Sequence, residues 1–184
     1  MKDNLKLTLG ITILLSVLSA VFLEFSILGL VLGILYAQII EWFVHGWIQH
    51  HPFKIFKAYR DNHTYHHKHP KEPLSVQPIQ YFLIGSIGLL LPFIMFGGFI
   101  LGYFVAYLFI NIIHNDLHVE NRILPNFIWN TSFFKLIISH HEAHHRGKKL
   151  AYTTHSVTNP YIDMLFTRLG LNKMNNYIAK HLKI

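Results

Sequence analysis

Fifteen of the 184 residues are histidine and none is cysteine, so any metal held by side chains must be held through nitrogen or oxygen. The histidines are grouped. His63, His66 and His67 fall in "HTYHH", and His141, His144 and His145 repeat that spacing in "HEAHH". Offsets of three and four residues bring three imidazoles to one face of a helix. His114 and His118 are four apart and also suit one face. His45 and His50 are five apart, which fits an α-helical face less well, and Gly46 is a place where the chain could loosen. An isolated pair of this kind is more often a surface or capping feature than a metal site, and a histidine-rich tract can be a loose metal buffer. Two triplets and two pairs together point to a shared metal centre, because imidazole is the commonest metal ligand of proteins.

Ten imidazoles exceed the roughly six positions around one ion, whereas two ions with about five ligands each fit the number. An all-nitrogen shell of high coordination suits iron; a structural zinc needs only about four ligands. Zinc could replace iron in purified protein, since the affinity order does not favour Fe²⁺. Ten neutral ligands leave the charge of two cations uncompensated, so carboxylates are expected behind them. Glu41, Asp61, Asp116, Glu120 and Glu142 stand beside the clusters. Glu41 is the strongest candidate, because it interrupts an apolar run where burying a charge is costly.

The elements that must position these residues are read from the apolar runs. Apolar residues make up 52% of the chain and charged residues 14%, far from the balance of a soluble domain. They collect in nearly uncharged runs at about 5–23, 27–44, 79–96 and 99–113. Helices of that length reach roughly 25–30 Å, about the thickness of a bilayer's hydrocarbon core. A signal peptide at the start is the alternative for the first run, but that run is long for one and a second follows almost at once. The expected fold is therefore all-α: a single domain over 1–184, integral to the membrane, with four transmembrane helices in two hairpins and a cytoplasmic, histidine-rich helical cap at 45–78 and 114–184. "FIWNTSFFKLII" and "NPYIDMLFTRLG" in the second part of the cap suit interfacial helices, the latter with a helix-starting Asn-Pro.

All 16 Lys and Arg residues lie in the N-terminal tail, the middle loop or the segment after 120, and every histidine lies on that same face, following the second run at 45–69 or the fourth from 114 onward. The positive-inside rule then puts both termini and the metal site on the cytoplasmic side of a multi-pass protein, with a bacterial inner membrane as the expected location. The net charge of +7 is a topology signal rather than a sign of nucleic-acid binding.

In order and spacing, "HGWIQH", "HTYHH", "HNDLH" and "HEAHH" resemble the fatty acid hydroxylase/sterol desaturase superfamily of integral-membrane di-iron oxygenases. The later "SVTNPYIDMLFTRLG" is similar to the segment after that family's last histidine box, and the likeness covers about residues 40 to 170. The resemblance implies metal ligands at His45, His50, His63, His66, His67, His114, His118, His141, His144 and His145, with two iron ions as cofactors. His51, His69, His140, His155 and His181 match no box and are left as surface or substrate-side residues. "VHGWIQHHPF" also resembles the first box of bacterial carotenoid hydroxylases. Their third box usually has a longer spacing than His114 and His118, which match fatty acid 2-hydroxylases. The expected reaction is hydroxylation of an unactivated C–H bond of a lipid, a fatty acyl chain first, with a carotenoid ring or desaturation as alternatives. The partners implied are a lipid entering from the bilayer, O₂ and a separate electron donor of cytochrome or ferredoxin type; the oligomeric state is left open. No GxGxxG fingerprint follows a strand, so NAD(P)H is not expected to bind the chain itself. A metal transporter or metal-storing membrane protein is the rival from another class. Transporters usually place ligands inside their spans, and these runs are nearly free of polar side chains.

Overall fold

The computed structural model describes residues 25–50, 56–72, 98–146 and 156–171, together with Lys6, Gly10, Ile13, Leu14 and Val17. Every regular element among them is a helix. Of the apolar run at 5–23, the five described residues are helical; the run at 79–96 lies outside the described residues, as do His51, His155 and His181. The chain divides into two compact units, one of Met1–Ile40 and Ser75–Ile112 and the other of Glu41–Leu74 and Ile113–Ile184.

The first unit contains most of α1 (Ile27–Phe43) and α2 (Phe99–Asp116). Ser26 starts α1, its hydroxyl accepting from Gly29 N at 3.2 Å and its carbonyl from Leu30 N at 3.0 Å. Ile27–Gly46 and Phe99–Asp116 are both long and apolar enough to cross a membrane. Ala37, Phe99, Ile100, Tyr103, Phe104, Ala106 and Ile110 are buried between the helices, with Leu32, Tyr36 and Ile40 packed against them. The outward side of α1 carries Ile27, Leu28, Val31, Leu35 and Ile39, all exposed. An apolar stripe of that length is far larger than a water-facing surface tolerates, and lipid is the solvent that suits it.

Glycine sets the approach of the two helices. Gly29 and Gly33 in α1, and Gly98 and Gly102 at the start of α2, each form a small-xxx-small pair. A Cβ on Gly33 would stand 2.1 Å from the Phe99 carbonyl oxygen, and one on Gly102 would stand 2.0 Å from that of Leu30. Backbone meets backbone here, so no side chain can yield. Gly98 turns the chain into α2 at φ 85°, a left-handed conformation that glycine adopts without strain.

The second unit holds the rest. A π-helix, Val44–Ile48, follows α1 directly. Then come α3 (Lys57–Lys68), α4 (Asn126–Trp129), α5 (Ser132–His145) and α6 (Pro160–Arg168). The two His-x-x-His-His triplets lie on α3 and α5, as their spacing predicts. The expected single interfacial helix over "FIWNTSFFKLII" is instead broken in two. Thr131 takes an extended backbone (φ −70°, ψ 154°) and caps α5 by accepting from Phe134 N, while its own hydroxyl donates to Ile128 O. Asn-Thr-Ser favours such a cap over helix interior, which the apolar pattern alone concealed. Asn159-Pro160 does open a helix, as expected.

Gly33→Ala and Gly102→Ala are each expected to destabilise the protein by about 1–3 kcal/mol, the usual cost of overpacking. Thermal unfolding in detergent measures this. Gly10→Ala is the control, since a Cβ there meets nothing within 4 Å; equal midpoints for all three variants would contradict the close helix crossing.

Candidate metal centre

The ligand-type residues of the second unit come from four segments, each aimed by its own local structure. On α3, Tyr59, His63 and His66 form a buried stripe at offsets of four and three. On α5, Ile137, His141 and His144 form the matching stripe. The third position of each triplet, His67 or His145, lies at the partly buried edge of its stripe. His114 lies in the last turn of α2, and His118 in the turn after it, where its N–H donates to Asn115 O.

The fourth segment resolves the awkward spacing of His45 and His50. Val44–Ile48 winds as a π-helix, and Gln49 N donates to Val44 O at 3.0 Å, a bond across five residues. Residues five apart then fall on one side, and the two rings stand with centroids 5.7 Å apart.

The structure gathers these rings into two groups, His45, His50, His63 and His144 in one, and His66, His118, His141 and His145 in the other. Within each group the four nearest nitrogens all lie within 4.8 Å of one another. His50 Nε2 is 3.0 Å from His63 Nε2 and 3.3 Å from His144 Nε2. His118 Nε2 is 3.1 Å from His66 Nε2 and 2.7 Å from His141 Nε2. His67 Nε2 stands 2.9 Å from His63 Nε2, which adds it to the first group. The His114 ring lies 5.1 Å from His141 and 5.2 Å from His118, beside the second.

These separations suit a cation. Ligands at right angles around an ion with bonds of about 2.1 Å are about 3.0 Å apart. Hydrogen bonding cannot satisfy the arrangement by itself. Each Nε2 offers either one proton or one lone pair, and the chain His67–His63–His50–His144 runs entirely through Nε2 atoms. At most two of its three contacts can be hydrogen bonds. His114 Nε2 and both nitrogens of His145 are also buried without a hydrogen-bond partner among the described residues.

The rings are held neutral, the form that binds metal. His66 is pushed down to about 2, His118 to about 3, and His67 and His145 to about 4. His63, His141 and His144 are lowered well below the ordinary value. Loss of solvation is the largest cause at each, and repulsion from neighbouring imidazoles adds to it at all but His145.

The five carboxylates expected behind the ligands divide sharply. Glu41 accepts from Ser156 Oγ (2.9 Å), Val157 N (2.5 Å) and Thr158 Oγ1 (3.3 Å), and so braces the segment before α6. Asp116 is fully buried and accepts from Asn115 Nδ2, Ile123 N and Leu124 N, closing the turn that carries His118. The other three are exposed. Asp61 pairs with Lys57 and Arg60, whose hydrogen bonds hold its carboxyl below the usual range, and Glu142 pairs with Arg146. Glu120 lies on the surface turn after α2. Two residues were passed over by sequence reasoning. Asp163 is buried and bonded to Trp42 and His140, and His140 is thereby a partly buried structural partner rather than a surface residue. An acid inside an otherwise apolar helical stripe was the available signal, the same one that singled out Glu41.

Two helices long and apolar enough to cross a membrane thus accompany two four-histidine groups that could each hold a metal ion. The family model described as fatty acid hydroxylase matches residues 30–168, and the chain belongs to that family of oxygen-dependent, iron-dependent oxidoreductases. No curated protein and no solved structure gives a match to this chain.

In the unfolded chain these histidines titrate near their ordinary value of about 6.5. Below that pH the unfolded state binds protons that the folded cluster refuses, so stability present above about pH 6.5 is lost as the pH falls toward the folded values. Chelator-treated protein in detergent is therefore expected to lose thermal stability steeply between about pH 7 and pH 5. A midpoint flat across that range would contradict the neutral packing of the rings.

Proposed function

We propose that the protein is a membrane di-iron oxygenase that hydroxylates an unactivated C–H bond of a lipid, with a fatty acyl chain as the substrate class. The observation that carries this reading is the pairing of two four-histidine groups that share α3 and α5, in a chain that belongs to the fatty acid hydroxylase family. The first ion would be held by His45, His50, His63, His67 and His144, and the second by His66, His114, His118, His141 and His145. Two irons held there would supply O₂ activation, the net reaction placing one oxygen atom in the C–H bond and releasing the other as water at the expense of two electrons and two protons. The chain's own part is to keep His63, His66, His67, His118, His141, His144 and His145 neutral, to bring the two groups to cation-bonding separations, and to exclude bulk water by burying His45, His63, His66, His141 and His144.

The remaining features of the reading follow the sequence. Four spans in two hairpins, with the termini and the histidines on the cytoplasmic side of a bacterial inner membrane, agree with the distribution of Lys and Arg. A cytochrome- or ferredoxin-type protein would deliver the electrons.

Metal analysis and lipid profiling test the proposal together. The wild-type chain is expected to carry close to two ions, and His144→Ala, which removes a ligand from one group, about one. A host expressing the wild-type chain under ¹⁸O₂ should accumulate acyl chains carrying one labelled hydroxyl, absent with His144→Ala. Hydroxylated carotenoid rings or new double bonds would select the alternative reactions within the family. Metal bound without any oxidised lipid would favour metal handling.

A further inference from the structure

We infer that Asp163 is a positioning residue for the metal centre, which locks α5, with His141, His144 and His145, to the end of α1 through His140, Trp42 and Ser156. This inference rests on the metal-centre reading above.

Among the described residues, three donors converge on one buried carboxylate. Oδ1 of Asp163 accepts from Trp42 Nε1 at 3.0 Å. Oδ2 accepts from His140 Nε2 at 2.7 Å and from Ser156 N at 2.8 Å. Each donor is joined to something that matters for the site. His140 precedes His141 on α5 and lies one helical turn before His144. Trp42 is three residues before His45, and its ring is fixed edge-on against Phe166 of α6 at 4.5 Å. Ser156 begins the segment braced by Glu41, and its hydroxyl both donates to Glu41 and accepts from Asn159 N. One carboxylate thus ties α5, α6 and the end of α1 together.

The chemistry requires a carboxylate there. Both oxygens face donors, so the group must be an acceptor on both sides. Asparagine has the same shape but only one acceptor oxygen. With that oxygen toward His140 and Ser156, its NH₂ meets the Trp42 indole N–H. Flipped, its NH₂ meets the Ser156 N–H. Neither orientation satisfies every donor, so Asp163→Asn must displace one of the three segments. Ligand geometry tolerates only about 0.5 Å of such movement, and a shift of α5 or of the end of α1 carries His141, His144 or His45 with it through the backbone.

That conflict suggests its own rescue. Trp42→Phe removes the indole donor, so in Trp42→Phe/Asp163→Asn the amide NH₂ no longer opposes an N–H while its oxygen still serves Ser156 and His140. The test uses the full-length chain in detergent, titrated with Co²⁺ and followed by the visible absorption of bound cobalt. Thermal midpoints of the metal-free variants are measured in parallel. Asp163→Asn is expected to weaken Co²⁺ binding about 10–100-fold and to shift the band per bound ion. The double variant should recover most of the affinity and the original band. The inference is overturned if Asp163→Asn binds with wild-type affinity and spectrum, or if the double variant binds no better than Asp163→Asn. A lowered midpoint with an unchanged band would also overturn it, as a purely structural role. Wild-type protein that takes up no Co²⁺ would sink the metal-centre reading as well, which separates the two failures.

Discussion

Mutual exclusion of protons from a crowd of imidazoles is the constraint on which the second unit depends. Two imidazolium ions about 5 Å apart repel by about 3 kcal/mol even at an effective dielectric constant of 20, before any cost of burial. His63 has the rings of His45, His50 and His67 within that range. A proton on one ring therefore opposes a proton on the next, and burial opposes both. Neutral rings with converging nitrogens are left, and their contacts cannot all be hydrogen bonds. A cation bound by the lone pairs resolves what protons cannot.

The rest of the unit can be understood as scaffolding for that arrangement. Asp116 shapes the turn that bears His118, and Glu41 holds the segment leading to α6. The exposed acids, Asp61 and Glu142, form ordinary surface pairs worth little to stability.

Legibility in the sequence followed the range of the interaction. Both triplets could be read because α-helical periodicity acts within a single turn, and "HTYHH" and "HEAHH" carry it unambiguously. His45 and His50 were harder, since their spacing of five fits an α-helix poorly and Gly46, which lies inside the π-helix, marked a place to loosen without specifying how the chain winds there. The acids were least legible. Sequence adjacency to a histidine selected Asp61, Glu120 and Glu142, yet on a helix the next residue points about 100° away from its neighbour. Glu41 and Asp163 act across more than a hundred residues of chain, on Ser156 and Trp42, so their partners could not be read from neighbours. What did mark them was the oddity of an acid in an apolar stretch. In the first unit, apolar length identified α1 and α2, while the closeness of their crossing lay in two glycine pairs that hydropathy ignores.

The repeated triplet also has a consequence for how the two histidine groups behave. In α3, His63 and His67 belong to the first group and His66 to the second. In α5 the division is reversed, with His141 and His145 in the second group and His144 in the first. Neither helix serves one group alone. A rotation of α3 that lengthens the approach of His63 must also move His66, and a shift of α5 moves ligands on both sides. The two groups are thus mechanically coupled through the backbone, whatever ions they hold. Two separate copies of a histidine motif, one per ion, would leave each site free to adjust by itself. Sharing each helix between both groups removes that freedom and sets the spacing of the pair by helix geometry, which is rigid on the scale of a metal–ligand bond.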